Sequence, residues 1–257
     1  MRRAAAFALP ALLLAGCAAA SQAPAQTDAL TIENRYPLEY AKQFTVDVCA
    51  GGYDLITIDG RRYLVVPEGA AAPANLDADI TVLQQPIQNI YLVSSSAMDP
   101  IISIGGLGAV ALSGTQAENW YLDAARTAME QGEIAYAGKY SAPDYETILS
   151  ADCGLAIENT MIYHTPEVKE QLEKFGVPVL VERSSYESDP LARMEWVKLY
   201  GILLGRTEEA ERVFDDAVQR IAPLLDEEPT GKTAAFFSIT SNNLATVRKG
   251  GDYVAKM

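Results

Sequence analysis

A repeated order of short apolar run, small polar residues and helical stretch most constrains how this chain can fold. The apolar runs lie at 90–93, 109–112, 155–157 and 177–181. Strands that alternate with helices form mostly parallel sheets with helices on both faces. The sequence therefore predicts an α/β, Rossmann-like lobe over 44–188, with helices at 97–104, 118–131, 145–149 and 166–175.

The start of this lobe has the pattern of a β-hairpin. Strand-like runs at Phe44–Cys49, Tyr53–Ile58 and Arg61–Val66 alternate or are largely apolar, and Asp59-Gly60 separates the last two. An Asp-Gly pair between two such runs is the strongest short-range hairpin signal. The sequence therefore predicts paired strands before the first βα unit.

Two helices and a further strand are predicted after the lobe. Residues 191–204 are apolar nearly all round, which indicates a buried helix. The next segment, from Thr207 as predicted N-cap, repeats apolar residues at helical spacing and predicts a long joining helix, within 189–230. A new strand at 233–239 begins a second α/β lobe over 231–257. So short a segment cannot bury a core alone, so we expect the sequence to be truncated.

The N-terminus has the pattern of an export signal. Met1 to Arg3 is basic, 4–14 is apolar and Leu14-Ala15-Gly16-Cys17 ends the run with small residues. The apolar run is shorter than the roughly 20 residues of a membrane-spanning helix. Leu-Ala-Gly-Cys resembles the lipobox of bacterial lipoproteins, which implies a signal peptide at 1–16, lipidation of Cys17, a flexible tether over 17–43 and an extracytoplasmic, membrane-anchored location.

Composition excludes several classes of function. Asp and Glu number 34 against 20 Lys and Arg, giving a net charge of −14 that disfavours nucleic acid and anionic lipid. The chain has one histidine, His164, whereas bare zinc or manganese sites normally use several. G-x-S-x-G and phosphate-binding G-x-x-x-x-G-K-S/T motifs are absent from the sequence. Cys49 and Cys153 are either buried free thiols or a disulfide.

Four segments resemble one known family. They are Gly-Lys-Tyr through Glu-Thr-Ile-Leu at 138–149, the strand at 152–157, Lys-Phe-Gly-Val-Pro-Val at 174–179 and Leu-Gly-Arg-Thr-Glu-Glu-Ala at 204–210. Their order is similar to that in substrate-binding proteins of ABC importers for iron siderophores, haem and cobalamin, although Ala151 and Cys153-Gly154 depart from the pattern. The resemblance implies two Rossmann-like lobes joined by one long helix, and partnership with a permease and its ATPase.

The resemblance also implies a docking residue. Family members contact the permease through one exposed glutamate on each lobe, and Glu146 occupies the matching position of the first lobe. The alternative is an ordinary solvated acid on an acidic surface.

Polar residues that follow the predicted strands are the candidate ligand contacts, because ligands of open α/β sheets bind beyond the carboxyl ends of strands. They are Ser94, Ser95, Ser96, Thr115, Lys139, Tyr140, Asn159, Arg183, Ser185, Tyr186, Arg193 and Thr240. The basic members suit the carboxylates or catecholates of a ferric chelate, although each can instead cap a helix or pair with a nearby acid.

The expected function is therefore capture of a metal chelate such as an iron-siderophore, with no catalytic residue, bare metal ion or cofactor. Cobalamin or haem binding remains open. So do an extracytoplasmic lipoprotein enzyme and a non-transport scaffold on the same fold.

Overall fold

The structure is a computed structural model that describes residues 29–225, 227–228 and 231–256, so the predicted signal peptide and Cys17 lie outside the described residues. The chain begins with a five-stranded sheet in sequential order. Its strands are Ile32–Arg35 (β1), Phe44–Cys49 (β2), Tyr53–Ile58 (β3), Arg61–Val66 (β4) and Ile80–Gln84 (β5). The first four pair antiparallel and β5 pairs parallel to β4.

The Asp59-Gly60 turn forms the predicted hairpin. Asp59 has φ of 50° and Gly60 has φ of 77°, the positive values that a two-residue hairpin turn requires. The register across it pairs Ile58 with Arg61. This hairpin prediction is confirmed.

The second sheet carries the alternating pattern. Its strands and covering elements are Ile90–Leu92 (β6), Met98–Ser103 (α1), Val110–Ser113 (β7), Asp123–Glu130 (α2), Ala135–Tyr136 (β8), Gly138–Lys139 (β9), Ala142–Pro143 (β10), Tyr145–Ser150 (α3), Ala156–Glu158 (β11), Pro166–Lys174 (α4) and Val179–Val181 (β12). The order β12-β11-β6-β7-β8 is parallel throughout, while β9 and β10 pair separately. The predicted α/β fold with a mostly parallel sheet is confirmed.

Two consecutive helices follow the parallel sheet, Pro190–Leu204 (α5) and Thr207–Leu225 (α6). Gly205 separates them in the left-handed conformation, with φ of 65°. A Cβ on Gly201 would lie 2.5 Å from the Cβ of Ala210, so glycine allows the helices to pack closely. The chain continues as a hairpin of Phe237–Ile239 (β13) and Ala245–Val247 (β14), then Tyr253–Lys256 (α7).

The largest apolar core joins the two sheets to α5 and α6, and includes Phe44, Trp196 and Phe214. A second core lies between the other face of the parallel sheet and α3 and α4. Cys153 belongs to this second core, and Cys49 to a third cluster on the first sheet. Both cysteines are buried free thiols, so the structure selects that alternative over a disulfide.

Some boundaries differ from prediction. The tether was predicted to extend to residue 43, but β1 and the docked segment 39–43 lie within that range. This segment is held by buried carboxylates 144 to 156 positions away in sequence, which local composition does not reveal. The helix predicted at 118–131 is a short turn, Ala117–Asn119, followed by α2, because the indole of Trp120 turns inward to bond Ser113. The domain boundaries themselves remain predictions.

Candidate functional site

The carboxyl edge of the parallel sheet collects most of the predicted ligand contacts, since parallel strands end at one edge. After β6 come Ser94, Ser95 and Ser96; after β7, Thr115; after β8, Lys139 and Tyr140; after β11, Asn159; and after β12, Arg183, Ser185 and Tyr186. Ser95, Ser96, Lys139, Ser185 and Tyr186 are exposed there. We call this surface the carboxyl edge.

Glu182, the residue after β12, organises part of this edge. Its Oε2 accepts hydrogen bonds from the hydroxyls of Ser94 and Ser96, each at 3.0 Å. Its Oε1 accepts the backbone N–H of Ser184 at 2.8 Å. The carboxylate is buried and crosses above the end of β11, because that strand lies between β6 and β12. Glu182 therefore fixes two loops that carry candidate contacts.

Ser113 organises the neighbouring loop after β7. Its Oγ accepts the backbone N–H of Thr115 at 3.0 Å and the indole N–H of Trp120 at 3.2 Å, and donates to the Thr115 carbonyl at 2.7 Å. The hydroxyl is thus fully engaged, and the predicted contact Thr115 is held by its backbone. A tryptophan consequently reports on this edge.

Exposed aromatic and thioether side chains line the same edge. Tyr136 is 43% exposed, Met161 45%, Tyr163 42% and Tyr186 54%, and each lies at or just after a strand end. Large apolar side chains are normally buried, so several of them exposed at one edge mark an interaction surface. The sequence analysis identified only Tyr186. We call Tyr136, Met161, Tyr163 and Tyr186 the aromatic rim.

The two basic residues of the edge, Arg183 and Lys139, differ in their surroundings. The guanidinium of Arg183 pairs with Asp59 at 2.8 Å, bonds Gln43 at 3.4 Å and lies 4.5 Å from the ring centroid of Tyr186. It therefore ties the end of β12 to the first sheet and supports one member of the rim. Lys139, by contrast, is exposed.

Two predicted contacts lie away from the carboxyl edge. Arg193 is on α5, where its guanidinium stacks 4.0 Å from the ring centroid of Tyr253 in α7. The hydroxyl of Thr240 bonds Asn242 and donates to the Leu244 carbonyl at 3.0 Å, within the β13–β14 hairpin. Both have local structural partners, and their part in binding stays a prediction.

Tyr140 and Asn159 have mixed roles. Tyr140 is half-buried against the second core. The Asn159 side chain accepts the backbone N–H of Met161 at 2.9 Å and so caps the short turn Thr160–His164. Asn159 thereby orients Met161 and Tyr163 of the aromatic rim.

Glu158, the last residue of β11, which lies between β12 and β6, is the most unusual group beneath the edge. It is fully buried, and within the described part of the chain neither carboxyl oxygen has a hydrogen-bond partner. Burial raises its pKa from 4.5 to about 8, so the carboxyl is predominantly protonated at neutral pH. Sequence analysis did not single out this residue.

Glu146 lies where the resemblance implies, in the first turn of α3. It is exposed. The N-cap is the neighbouring Asp144, whose carboxylate accepts the Thr147 backbone N–H at 3.1 Å. Hydrogen bonds from the Thr147 hydroxyl and backbone hold the pKa of Asp144 below its ordinary value. Because Asp144 caps the helix, Glu146 is free to face a partner.

Among residues 29–225, 227–228 and 231–256, no group of three or more His, Cys, Asp or Glu side chains is placed to hold a metal ion. Within the same part of the chain, no helix combines the length and hydropathy needed to cross a bilayer. The described edge offers hydroxyl, ammonium and aromatic groups instead.

Comparison with known proteins places this fold. No protein-family model matches the chain. The solved structure of holo-ViuP aligns with a TM-score of 0.52 at 14% identity, over 82% of this chain and 61% of that one. The periplasmic haem-binding protein HutB of Vibrio cholerae aligns with a TM-score of 0.50 at 16% identity, over 62% of this chain and 58% of that one.

One sequence relative is a lipoprotein. An uncharacterized lipoprotein of Methanocaldococcus jannaschii is 20% identical over 216 residues, covering 78% of this chain and 51% of the relative. The chain thus spans about half the length of the curated relative it matches. In fold the chain is similar to these two solved structures, one of which is a periplasmic haem-binding protein, and this agrees with the resemblance carried by the four sequence segments.

Proposed function

We propose that this chain is the extracytoplasmic solute-binding component of an ABC importer, capturing a metal chelate such as an iron-siderophore and delivering it to a permease and its ATPase. The observation that carries the proposal is the carboxyl edge, along which the aromatic rim, exposed Lys139 and the loops fixed by Glu182 lie. Planar aromatic faces and a cation suit the rings and negative charge of catecholate chelates.

Haem is the second candidate ligand. Its flat macrocycle would stack on the same tyrosines and its propionates would meet Lys139, and the fold neighbour HutB is a haem-binding protein. Cobalamin is the third ligand to test.

A binding role is favoured over catalysis. A serine or cysteine nucleophile normally needs a positioned base such as histidine. Among the described residues, no hydrogen bond joins His164 to a serine or cysteine, and the hydroxyls of Ser94 and Ser96 bond the Glu182 carboxylate instead. These contacts support a binding role for the edge.

The proposed location is outside the cytoplasm, with Cys17 as the lipid-bearing residue. Its support is the lipobox-like sequence before Cys17 and the lipoprotein relative. Two or more acyl chains hold a protein stably at a bilayer. Incorporation of labelled fatty acid into the wild type but not into Cys17→Ser is the measurement that tests this anchor.

The ligand prediction is tested by titrating the protein with hemin, a ferric tris-catecholate complex and cyanocobalamin while following tryptophan fluorescence. We expect saturable quenching by at least one probe, because Trp120 reports on the edge. Tyr163→Ala should weaken that binding about tenfold, since an aromatic anchor contributes more than about 1 kcal/mol.

The matched control is Phe175→Ala. Phe175 is 44% exposed, like Tyr163, but it precedes β12 and so lies at the opposite end of the sheet. We expect its affinity to equal that of the wild type. Absence of binding to all three probes, or equal losses in both variants, would refute this edge as the solute site.

Glu146→Ala should separate binding from transport. An exposed carboxylate contributes about 0 to 1 kcal/mol to folding, so melting temperature and ligand affinity should stay unchanged. Loss of one partner of a desolvated interfacial charge pair costs about 2 to 5 kcal/mol, so uptake and permease association should fall strongly. Glu170→Ala, which removes an exposed acid of α4, should transport normally. Normal uptake by Glu146→Ala would make that residue one more solvated acid.

A further inference from the structure

The turn Thr160–His164 is flanked on both sides by buried polar atoms that lack hydrogen bonds. Glu158 comes just before the turn in sequence and Thr165 comes just after it. Among the described residues, both carboxyl oxygens of Glu158 and the hydroxyl oxygen of Thr165 are buried without a hydrogen-bond partner. Buried polar atoms are almost always paired, because an unpaired one loses its hydration without compensation. The closed turn therefore carries an uncompensated cost at each end, which a rearrangement admitting water would relieve.

The contacts that keep the turn closed are few. Ile162 packs into the second core, and its N–H donates to the Asn159 carbonyl at 3.1 Å, while the Thr165 N–H donates to the Ile162 carbonyl at 3.0 Å. Outward, the Tyr163 hydroxyl reaches Asp59 at 3.4 Å, near the limit of a hydrogen bond. The hydrogen bonds that hold the turn are therefore those of its own backbone, the Asn159 cap on the Met161 N–H and the single outward contact to Asp59.

Among the residues that the structure describes, no basic group compensates Glu158. The titratable groups that face it are Tyr91 from β6, whose hydroxyl donates to the Gly138 carbonyl, and Tyr145 from α3. On the covering helix α4, Lys169 pairs with Glu173, and Glu167, Glu170 and Lys174 are exposed. An ionised Glu158 would therefore be a buried charge without a partner.

We propose that the turn Thr160–His164 is a proton-controlled gate at the carboxyl edge, closed when Glu158 is protonated and opened when Glu158 ionises and takes up water. Because the turn carries Met161 and Tyr163, opening displaces half of the aromatic rim. Its effect on ligand affinity rests on the proposed solute-binding function, whereas the gate itself does not.

Hydrogen exchange of the ligand-free protein tests the gate directly. After correction for the intrinsic pH dependence of exchange, protection of the Ile162 and Thr165 amides should fall about tenfold or more between pH 6 and pH 9. Glu158→Gln, which cannot ionise, should show constant protection. Wild-type protection that does not change with pH, or an equal fall in Glu158→Gln, would overturn the proposal.

Three further variants make the result specific. Thr165→Val removes an unpartnered hydroxyl at nearly constant shape, so protection should rise at every pH while its pH dependence persists; lower protection would argue against a strained turn. His164→Gln removes the histidine of the turn and should leave the fall intact, as should Glu170→Gln. Loss of the fall in His164→Gln would assign the switch to histidine and refute the role of Glu158.

Ligand binding is measured separately, with hemin and the ferric catecholate complex at pH 6 and pH 9. If the rim binds such a probe, affinity should weaken at pH 9 in the wild type and stay constant in Glu158→Gln. Failure of all probes would overturn the solute-binding proposal alone, because the exchange measurement needs no ligand.

Discussion

Glu195→Ala should strongly destabilise the protein, because Glu195 is a buried carboxylate with four partners. Its oxygens accept the backbone N–H groups of Glu39 at 2.9 Å and of Tyr40 and Ala41 at 2.8 Å, and the Lys198 ammonium lies 2.9 Å away. Burial alone would raise its pKa, but hydrogen bonds from Ala41 and Glu39, Lys198 and the Tyr40 amide outweigh it and hold the pKa below the ordinary value.

Removing this carboxylate leaves the buried Lys198 ammonium and three backbone donors unpaired. Breaking a buried ion pair costs about 3 to 5 kcal/mol. We therefore expect urea unfolding, followed by tryptophan fluorescence, to show a loss of about 4 kcal/mol, a large share of the 5 to 15 kcal/mol typical of a domain.

Two comparisons sharpen this test. Glu170→Ala, the loss of an exposed acid, should change the unfolding free energy by no more than about 0.5 kcal/mol. Glu195→Leu combined with Lys198→Leu should be less destabilised than Glu195→Ala, since no buried charge then lacks a partner. A loss below about 1 kcal/mol in Glu195→Ala would show that the segment 39–41 does not depend on its hydrogen bonds to the Glu195 carboxylate.

The hydrogen bonds between Glu195 and residues 39–41 illustrate why some parts of the fold could be predicted from the sequence and others could not. Phe44–Cys49, Tyr53–Ile58 and Arg61–Val66 follow their predicted bounds because alternation and an Asp-Gly turn are local signals. Residues 39–43 were predicted as tether because what orders them is distant. Glu195 and Glu187, both on or just before α5, accept all five of their backbone N–H groups.

The candidate site likewise contains residues that the sequence predicts and residues that it does not. Polar residues after apolar runs located the loops of the carboxyl edge, because strand ends are visible in the sequence. Glu158 and Glu182 were missed although each directly follows apolar strand residues, in Ala-Ile-Glu and Val-Glu. An acid at the end of a buried strand is itself a signal of an unusual site. Only the structure shows that the Glu182 carboxylate accepts several hydrogen bonds, whereas among the described residues the Glu158 carboxyl has no partner.

The buried acids Glu195 and Glu158 should have opposite effects on how the unfolding free energy depends on pH. The lowered pKa of Glu195 gives a stabilising contribution that is complete above its unfolded value of 4.5 and is lost as pH falls through the lower folded value. Glu158 behaves in the reverse sense, because its pKa is raised from 4.5 to about 8. Between these two values the native state retains a proton that the unfolded chain has released, so the unfolding free energy declines as pH rises through this window.

Glu158→Met should therefore stabilise the protein, and more so in alkali. Methionine fills a similar volume, has no proton to lose and removes two unpartnered oxygens from an apolar site. At pH 5 we expect a gain of about 1 to 2 kcal/mol, the cost of a buried unsatisfied polar group. Between pH 5 and pH 8 the advantage over the wild type should grow by on the order of 4 kcal/mol, since each unit of pH within the window contributes about 1.4 kcal/mol. Urea unfolding at the two pH values measures both quantities, with Glu170→Gln as a control that should show no growth. Opening of the turn Thr160–His164 would let water reach Glu158 and reduce the growth, so the shortfall measures how far the gate relieves the charge. An equal gain at both pH values, or a loss, would mean that Glu158 meets a partner in solution that neutralises it.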